Sequence, residues 1–266
     1  MISLAKKEEN VQRCDVTIAT RNPKTYYLLI RILKALNLEF VTCTPDSSLA
    51  NDAKVVVTTE GESVKTTNGT VISVEEEPDP VITSVRIMRA YLDISTPKEV
   101  IIGVDPGMRF GIALVIDGNV TYTKTLTSPP AAANLAKKLV THIETAFPES
   151  KLSFRLGTGS RLYGVLFLRS LGNLKKDTKI ELVDEKHTTI PNGYTKDQLS
   201  AILISGRSGR PLSPNDFRLT TKRGYVRSLR NLVRRLSDNK RSMTVKEARN
   251  VLQGELSLDE FIDSGS

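Results

Sequence analysis

Asp105 stands where an apolar run stops. Val100 to Val104 is β-rich, and it breaks into Asp105-Pro106-Gly107. A carboxylate at the mouth of a buried strand reaches solvent while its backbone stays fixed. Hard cations such as Mg²⁺ take oxygen ligands held in this way. The same triplet is also a good turn, in which the aspartate bonds its own backbone. On this motif alone both readings stand. A second stretch, Gly157-Thr158-Gly159-Ser160, follows an apolar run and precedes a helical pattern. Its backbone N–H groups could hold a phosphate. No Lys-Ser/Thr follows, so it is not a Walker loop, and a plain strand-to-helix turn is the competing reading. A third group is basic: Arg207, Arg210, Arg223, Arg227, Arg230 and Arg234 fall in one short region, with Lys222, Arg235, Lys240 and Arg241 among them. Contacts from such residues to phosphates are salt-sensitive and carry little sequence information. Here the competing reading is a solvated basic face packed on a core.

Charge distribution sharpens the third group. The chain has 266 residues and a net charge of +8. Residues 1–98 carry a net of −1, residues 99–206 a net of +3 and residues 207–266 a net of +6. A positive excess gathered at one end points to a polyanionic partner. Cys14 and Cys43 lie in apolar surroundings with no CxxC spacing, which predicts reduced cysteines in an intracellular, cytoplasmic protein. His142 and His187 are too few and too separate for a zinc cluster. No run of eighteen apolar residues is present and the start lacks a signal-peptide core, so no membrane association is expected. The length suits one large or two small domains with a real core.

The elements that position these groups can be read in order. Val16–Ala19 is a strand, Asn22-Pro23 opens a helix that runs to Asn37, and Phe40–Cys43 and Ala53–Thr58 are further strands. This alternation predicts a small parallel sheet. No GxGxxG follows the first strand, so no dinucleotide site is expected. Thr59-Glu60-Gly61-Glu62 lines a cleft or is a solvated turn. Val71–Val74 is a strand, Glu75 to Pro80 an acidic linker, and Val81–Leu92 a helix. After Val100–Val104, Gly111–Ile116 and Thr121–Leu126 are strands, and Asp117-Gly118 is a hairpin turn. Ser128-Pro129-Pro130 opens a helix with Leu135, Leu139, Ile143 and Phe147 in one stripe. Leu152–Leu156 is a strand, Arg161–Ser170 a helix, Lys179–Asp184 a strand and Thr195–Gly206 a helix. In the basic tail, Val226, Leu229, Leu232, Val233 and Leu236 make a helical stripe. Capping boxes at Thr244–Glu247 and Ser257–Glu260 signal two more helices. Tyr225 is a candidate for stacking on a base.

Strand, strand, strand, helix, strand, helix, strand, helix over residues 98–207 resembles the ribonuclease H-like superfamily, and its RuvC/YqgF branch in particular. The resemblance rests on Gly103-Val104-Asp105-Pro106-Gly107, on Gly111 opening the next strand and on the Gly157–Ser160 loop. It also rests on Leu182-Val183-Asp184-Glu185-Lys186-His187-Thr188-Thr189, and on Asp197 followed by small and aliphatic residues. It implies an α/β fold: a ribonuclease H-like mixed sheet of three antiparallel strands, then α-β-α-β-α. A small Rossmann-like α/β domain over 1–97 precedes it and a basic helical region over 208–266 follows. Departures are visible. Leu156-Gly157-Thr158 lacks the acid that RuvC resolvases keep at the end of the fourth strand. Only Ile190 to Lys196 separates Thr189 from Asp197, where YqgF proteins have a helical segment, and Lys186-His187 replaces their Arg-Leu.

What the resemblance implies is a Mg²⁺- or Mn²⁺-dependent nuclease acting on branched DNA or structured RNA. Asp105 would be the bridging ligand, with Glu185 and Asp197 as outer ligands. Asp184 is the alternate catalytic carboxylate, because strand alternation sends Asp184 and Glu185 to opposite faces. A homodimer is a further implication, since RuvC relatives cut two strands symmetrically, but no isologous patch is marked in the sequence. The missing fourth-strand acid keeps a second reading open, a non-catalytic nucleic-acid-binding module on the same fold. A third, a nucleotide-binding relative of actin and the sugar kinases, meets a chain too short for two large duplicated domains.

Overall fold

The computed structural model describes residues 15–172, 178–184 and 195–263. The chain divides into two compact units, Met1–Ser95 and Thr96–Ser266.

In the first unit, β1 (Val16–Ala19), α1 (Pro23–Ala35), β2 (Phe40–Cys43), β3 (Val55–Thr59), β4 (Thr70–Val74) and α2 (Pro80–Tyr91) follow one another. The strands pair in the order β2-β1-β3-β4, all parallel, as the βαβ alternation predicts. Asn22 caps α1 by accepting from the N–H groups of Lys24 and Thr25, with Pro23 just inside the helix. Asp79 does the same for α2, followed by Pro80. The acidic stretch read as a linker therefore ends in a helix cap. Ile18, Leu29, Leu33, Val55, Val57 and Ile87 are fully buried between sheet and helices.

The second unit opens with a meander of β5 (Glu99–Asp105), β6 (Phe110–Ile116) and β7 (Asn119–Leu126). Asp117 and Gly118 both take positive φ in the β6–β7 turn, the conformation this hairpin type requires. Then come α3 (Pro129–Ala146), β8 (Lys151–Gly157), α4 (Arg161–Leu171), β9 (Lys179–Val183), α5 (Lys196–Ser205) and a two-residue β10 (Arg210–Pro211). The strands lie in the order β10-β9-β8-β5-β6-β7; β5, β8 and β9 are parallel, and the other pairings are antiparallel. β10 has no signature in the sequence, and its proline sits at the edge, where a missing N–H is tolerated. All seven residues of β6 are buried, since helices cover both faces of the sheet.

One face carries α4, where Phe110 meets Tyr163 edge-on at 6.1 Å between ring centroids. The other carries α5, and there two glycines decide the packing. A Cβ on Gly103 would lie 2.8 Å from Ser205 Cβ, and one on Gly111 would lie 2.5 Å from the carbonyl carbon of Asp197. The helix therefore rests on bare backbone. Arg155, on the same face, donates to the Ser205 carbonyl at the far end of α5 and pairs with the buried Glu181. Lys179 first, and Arg155 with it, hold the Glu181 carboxyl below its usual range.

The basic region belongs to this second unit. It forms α6 (Arg223–Leu236), α7 (Val245–Gln253) and α8 (Leu258–Asp263). Val226, Leu229, Leu232 and Val233 of α6 are buried, as their spacing predicts. Arg169 of α4 donates to the carbonyls of Val251, Leu252 and Phe217 at 2.7, 3.1 and 2.8 Å. Burial lowers the pKa of this guanidinium. Arg235 of α6 donates to the carbonyls of Met108 (3.0 Å) and Thr127 (2.9 Å).

Candidate carboxylate site and basic groove

β5 delivers Asp105 to the end of the sheet, half-buried, directly opposite Gly111 in the β5–β6 register. Residues opposite one another in a ladder share a face. Gly103 and Gly111 both abut α5, so Asp105 belongs to that same face. Asp197 lies in the first turn of α5, half-buried, with its backbone against Gly111. Thr195 fixes the start of this helix. It makes a capping box with Gln198, and its hydroxyl meets that of Thr125 on β7 at 3.1 Å. Two of the aspartates singled out in the sequence are therefore brought to one face and one end of the sheet. Sequence alone places them ninety-two positions apart.

The remaining carboxylates fare differently. Gly103, Arg155 and Glu181 form one row across β5, β8 and β9, and Gly157 pairs with Val183 two residues further on. Odd-numbered positions of β9 thus share the Asp105 face. Asp184 continues the parity of Leu182, the opposite face, and is exposed; its carbonyl accepts from Arg207 at 3.3 Å. Glu185, and with it Lys186 to Thr189, lies outside the described residues. Next to Asp105 on β8 comes Gly157, one step past the Val104–Leu156 pair, so no side chain fills that place. Among the described residues, no group of three His, Cys, Asp or Glu side chains could hold a metal ion.

The Gly157–Ser160 loop behaves largely as a turn. Gly157 is buried, and Thr158 directs both its N–H (3.0 Å) and its hydroxyl (3.2 Å) to the Val183 carbonyl. Ser160 stands at the N-cap of α4 without a side-chain bond to the helix. Gly159 is exposed. Arg161, next in line, donates to the carbonyls of Asn215 and Arg218. The turn after Asp105 rests on α4, with Pro106 Cγ 3.7 Å from where a Cβ on Gly164 would be.

The arginines divide into two sets. Arg210 makes a bidentate pair with the buried Asp216, at 2.8 and 2.6 Å. Ser213 adds its N–H and hydroxyl to the same carboxylate, which Arg210 above all holds far below the usual range. Its assignment as a phosphate contact thus meets a structural partner already in place. Arg207 is half-buried beside Asp184. Arg223, Arg227, Arg230 and Arg234 instead line one groove of about 620 Å³ between α6 and α7, together with Asn231 and Arg249. Arg249, from α7, was not picked out in the sequence; its distance along the chain from the other four concealed it. Tyr225 is half-buried outside that groove. Cys43 is a half-buried free thiol, its pKa raised by burial, and Cys14 lies outside the described residues. Among the described residues, no helix is long and apolar enough to cross a membrane.

None of the curated proteins compared matches this chain. Two crystal structures of Argonaute from Marinitoga piezophila are similar to it at a TM-score of 0.25. One is in complex with 5′ OH guide RNA (12% identity, covering 64% of this chain and 38% of that one). The other is in complex with guide RNA and target DNA (11% identity, 64% and 39%). The likeness therefore spans well under half of the Argonaute chain. Residues 15–92, the described part of the first unit up to Leu92, match the family model of a response regulator receiver-like domain.

Proposed function

We propose that residues 98–207, within the second unit, form a ribonuclease H-like domain of the RuvC/YqgF kind, followed by the basic helical region over 208–266. In this reading it is a nuclease that hydrolyses phosphodiester bonds in branched DNA or structured RNA with Mg²⁺ or Mn²⁺. The observation that carries this reading is the meeting of Asp105 and Asp197 on one face at one sheet end, enforced by the bare backbone at Gly103 and Gly111. The strand order and the helices on both faces support it.

The donor set suits such an ion. Mg²⁺ is commonly held by one or two carboxylates, with water and substrate phosphate completing its shell. Asp105 and Asp197 would supply two hard oxygen ligands, and Glu185 a third. A bound divalent ion would supply an activated water and neutralise charge on the scissile phosphate. The chain's own residues do the rest. Asp105 gives a fixed anchor at a strand end, Asp197 is aimed by a capped helix, and the basic groove holds the polyanion.

A second reading, a binding module without catalysis, is favoured by Gly157 standing where a side chain would complete the cluster. The test is cleavage of a four-way DNA junction and a stem-loop RNA in Mn²⁺ by wild type, Asp105→Asn and Asp197→Asn. The nuclease reading expects cleavage by wild type and its loss in both variants, with binding retained. Cleavage unchanged in Asp105→Asn refutes it. Binding without cleavage by wild type, in Mg²⁺ and in Mn²⁺, leaves the binding module.

A further inference from the structure

The groove between α6 and α7 has features that a merely solvated basic face does not need. Five arginines line it, four from α6 and Arg249 from α7, and no carboxylate is among its lining residues. Arg223, Arg227, Arg230 and Arg234 follow one another at spacings of four, three and four, so they form a single stripe about 16 Å long. Like charges at these spacings oppose the helix that carries them. The start of α6 adds to this: Lys222 is the N-cap without a side-chain cap, and no acidic residue stands in the first turn, where the helix dipole favours anions. Neighbouring arginines show what a structural role looks like here. Arg235 and Arg241 each donate to two backbone carbonyls, and Arg210 pairs with Asp216. Within the groove Arg230 donates to the Met243 carbonyl at 2.7 Å, which orients it. The guanidinium groups of Arg223, Arg227, Arg234 and Arg249 have no hydrogen-bond or ion-pair partner among the described residues.

We propose that this groove holds the sugar-phosphate backbone of one strand of a DNA duplex, at a site separate from the carboxylates. The inference deepens the nucleic-acid reading above and rests on it. The lining decides the form of the ligand. Single-strand sites stack bases on aromatic rings, and sites that read RNA address unstacked bases and 2′-hydroxyls. This groove contains no aromatic ring and no carboxylate; guanidinium donors dominate it, and Thr221 and Asn231 are its neutral polar groups. It therefore grips phosphates without reading bases. Arg235, next to Arg234, ties α6 to the Met108 carbonyl, three residues beyond Asp105. The C-terminal end of the stripe is thus anchored to the turn that follows the candidate ligand.

The test uses the full chain without divalent cation, so that cleavage cannot interfere. Fluorescence anisotropy compares a 20-base-pair DNA duplex with the matching RNA duplex and single strand, across a salt series. Each lost phosphate contact flattens the slope of log affinity against log salt by about 0.9. Arg227→Gln with Arg234→Gln is expected to flatten it by about 2 and to weaken binding about 10- to 100-fold near 0.1 M salt. Arg223→Gln with Arg249→Gln should act alike. Lys34→Gln with Lys65→Gln, two exposed charges of the first unit, should leave the slope unchanged. An unchanged slope in both arginine pairs, an equal loss in the lysine control, or tighter binding of the single strand or RNA duplex overturns the proposal. No cleavage by wild type in Mg²⁺ or Mn²⁺, with groove-dependent binding intact, would instead count against the nuclease reading alone.

Discussion

Gly111→Ala tests the arrangement at its narrowest point. The added Cβ would stand 2.5 Å from the carbonyl carbon of Asp197 and nearer still to its oxygen, against 3.4 Å or more for an ordinary contact. The obstacle is backbone, so no rotamer change relieves it. The first turn of α5 must retreat by about 1 Å or more, and overpacking of this kind costs about 1–3 kcal/mol. The upper end applies, because Thr195 tethers that turn to β7 and Ala201 and Ser205 rest on β5 further along the same helix. In a unit of this size, about 3 kcal/mol lowers Tm by roughly 6–12 °C. Thermal and urea unfolding followed by circular dichroism measure it. Gly224→Ala is the control for an unobstructed site: Gly224 lies in the first turn of α6, nothing stands within 4 Å of its Cβ, and the substitution should stabilise by about 0.5 kcal/mol. Because the retreat carries Asp197 away from Asp105, the proposed nuclease reading further expects metal-dependent cleavage to fall by more than the loss of folded protein explains. A Gly111→Ala protein as stable as wild type would refute the close approach and, with it, the placement of Asp197.

Two other perturbations address how the basic region is held. Asp216→Asn removes the carboxylate that binds Arg210 and Ser213, which should cost about 2 kcal/mol at pH 7. The folded-state pKa of Asp216 is depressed, so its contribution is fully present above the unfolded value of about 3.9 and is lost as pH falls through the folded one. The gap between the urea midpoints of wild type and variant should therefore begin to narrow below about pH 4 and shrink further as pH falls, and a gap independent of pH would contradict the ion pair. Arg235→Ala frees the Met108 and Thr127 carbonyls. Amide exchange should speed up in residues 107–109 and in the last turn of α6, while the first unit remains as protected as in wild type. Equal protection throughout would show that the clamp is dispensable.

How much was legible in the sequence depends on the range of the forces involved. Caps, turns and amphipathic stripes act over a few residues. The Asn22-Pro23 helix start, the Asp117-Gly118 hairpin, the Thr244 cap and the buried stripe of α6 could thus be read directly. Asp105 could be found in the same way, as the point where an apolar strand breaks. Local signals left the choice open where two readings share the same residues. Asp79-Pro80 looked like the end of an acidic linker and is a helix cap. The Gly157–Ser160 loop could hold a phosphate by composition, yet Thr158 turns its donors inward to Val183.

Tertiary structure decided what depends on distance across the chain. Which arginines are bound into the fold and which keep an unpaired guanidinium follows from the carbonyls and carboxylates that packing brings near them. Arg210 found Asp216, Arg235 found Met108 and Thr127, and the groove set, apart from Arg230, found none among the described residues. Arg249 joined that set only because α7 lies along α6. The parity of β9, which separates Asp184 from the Asp105 face, is set by register with β8. Gly103 and Gly111 appear in sequence as weak points in two strands. Their role, letting a helix that begins eighty-five residues beyond Gly111 settle on bare backbone with Asp197 beside Asp105, exists only once sheet and helix meet. Residue types and local order supplied the candidate chemistry; close packing, which no local pattern encodes, chose the partners.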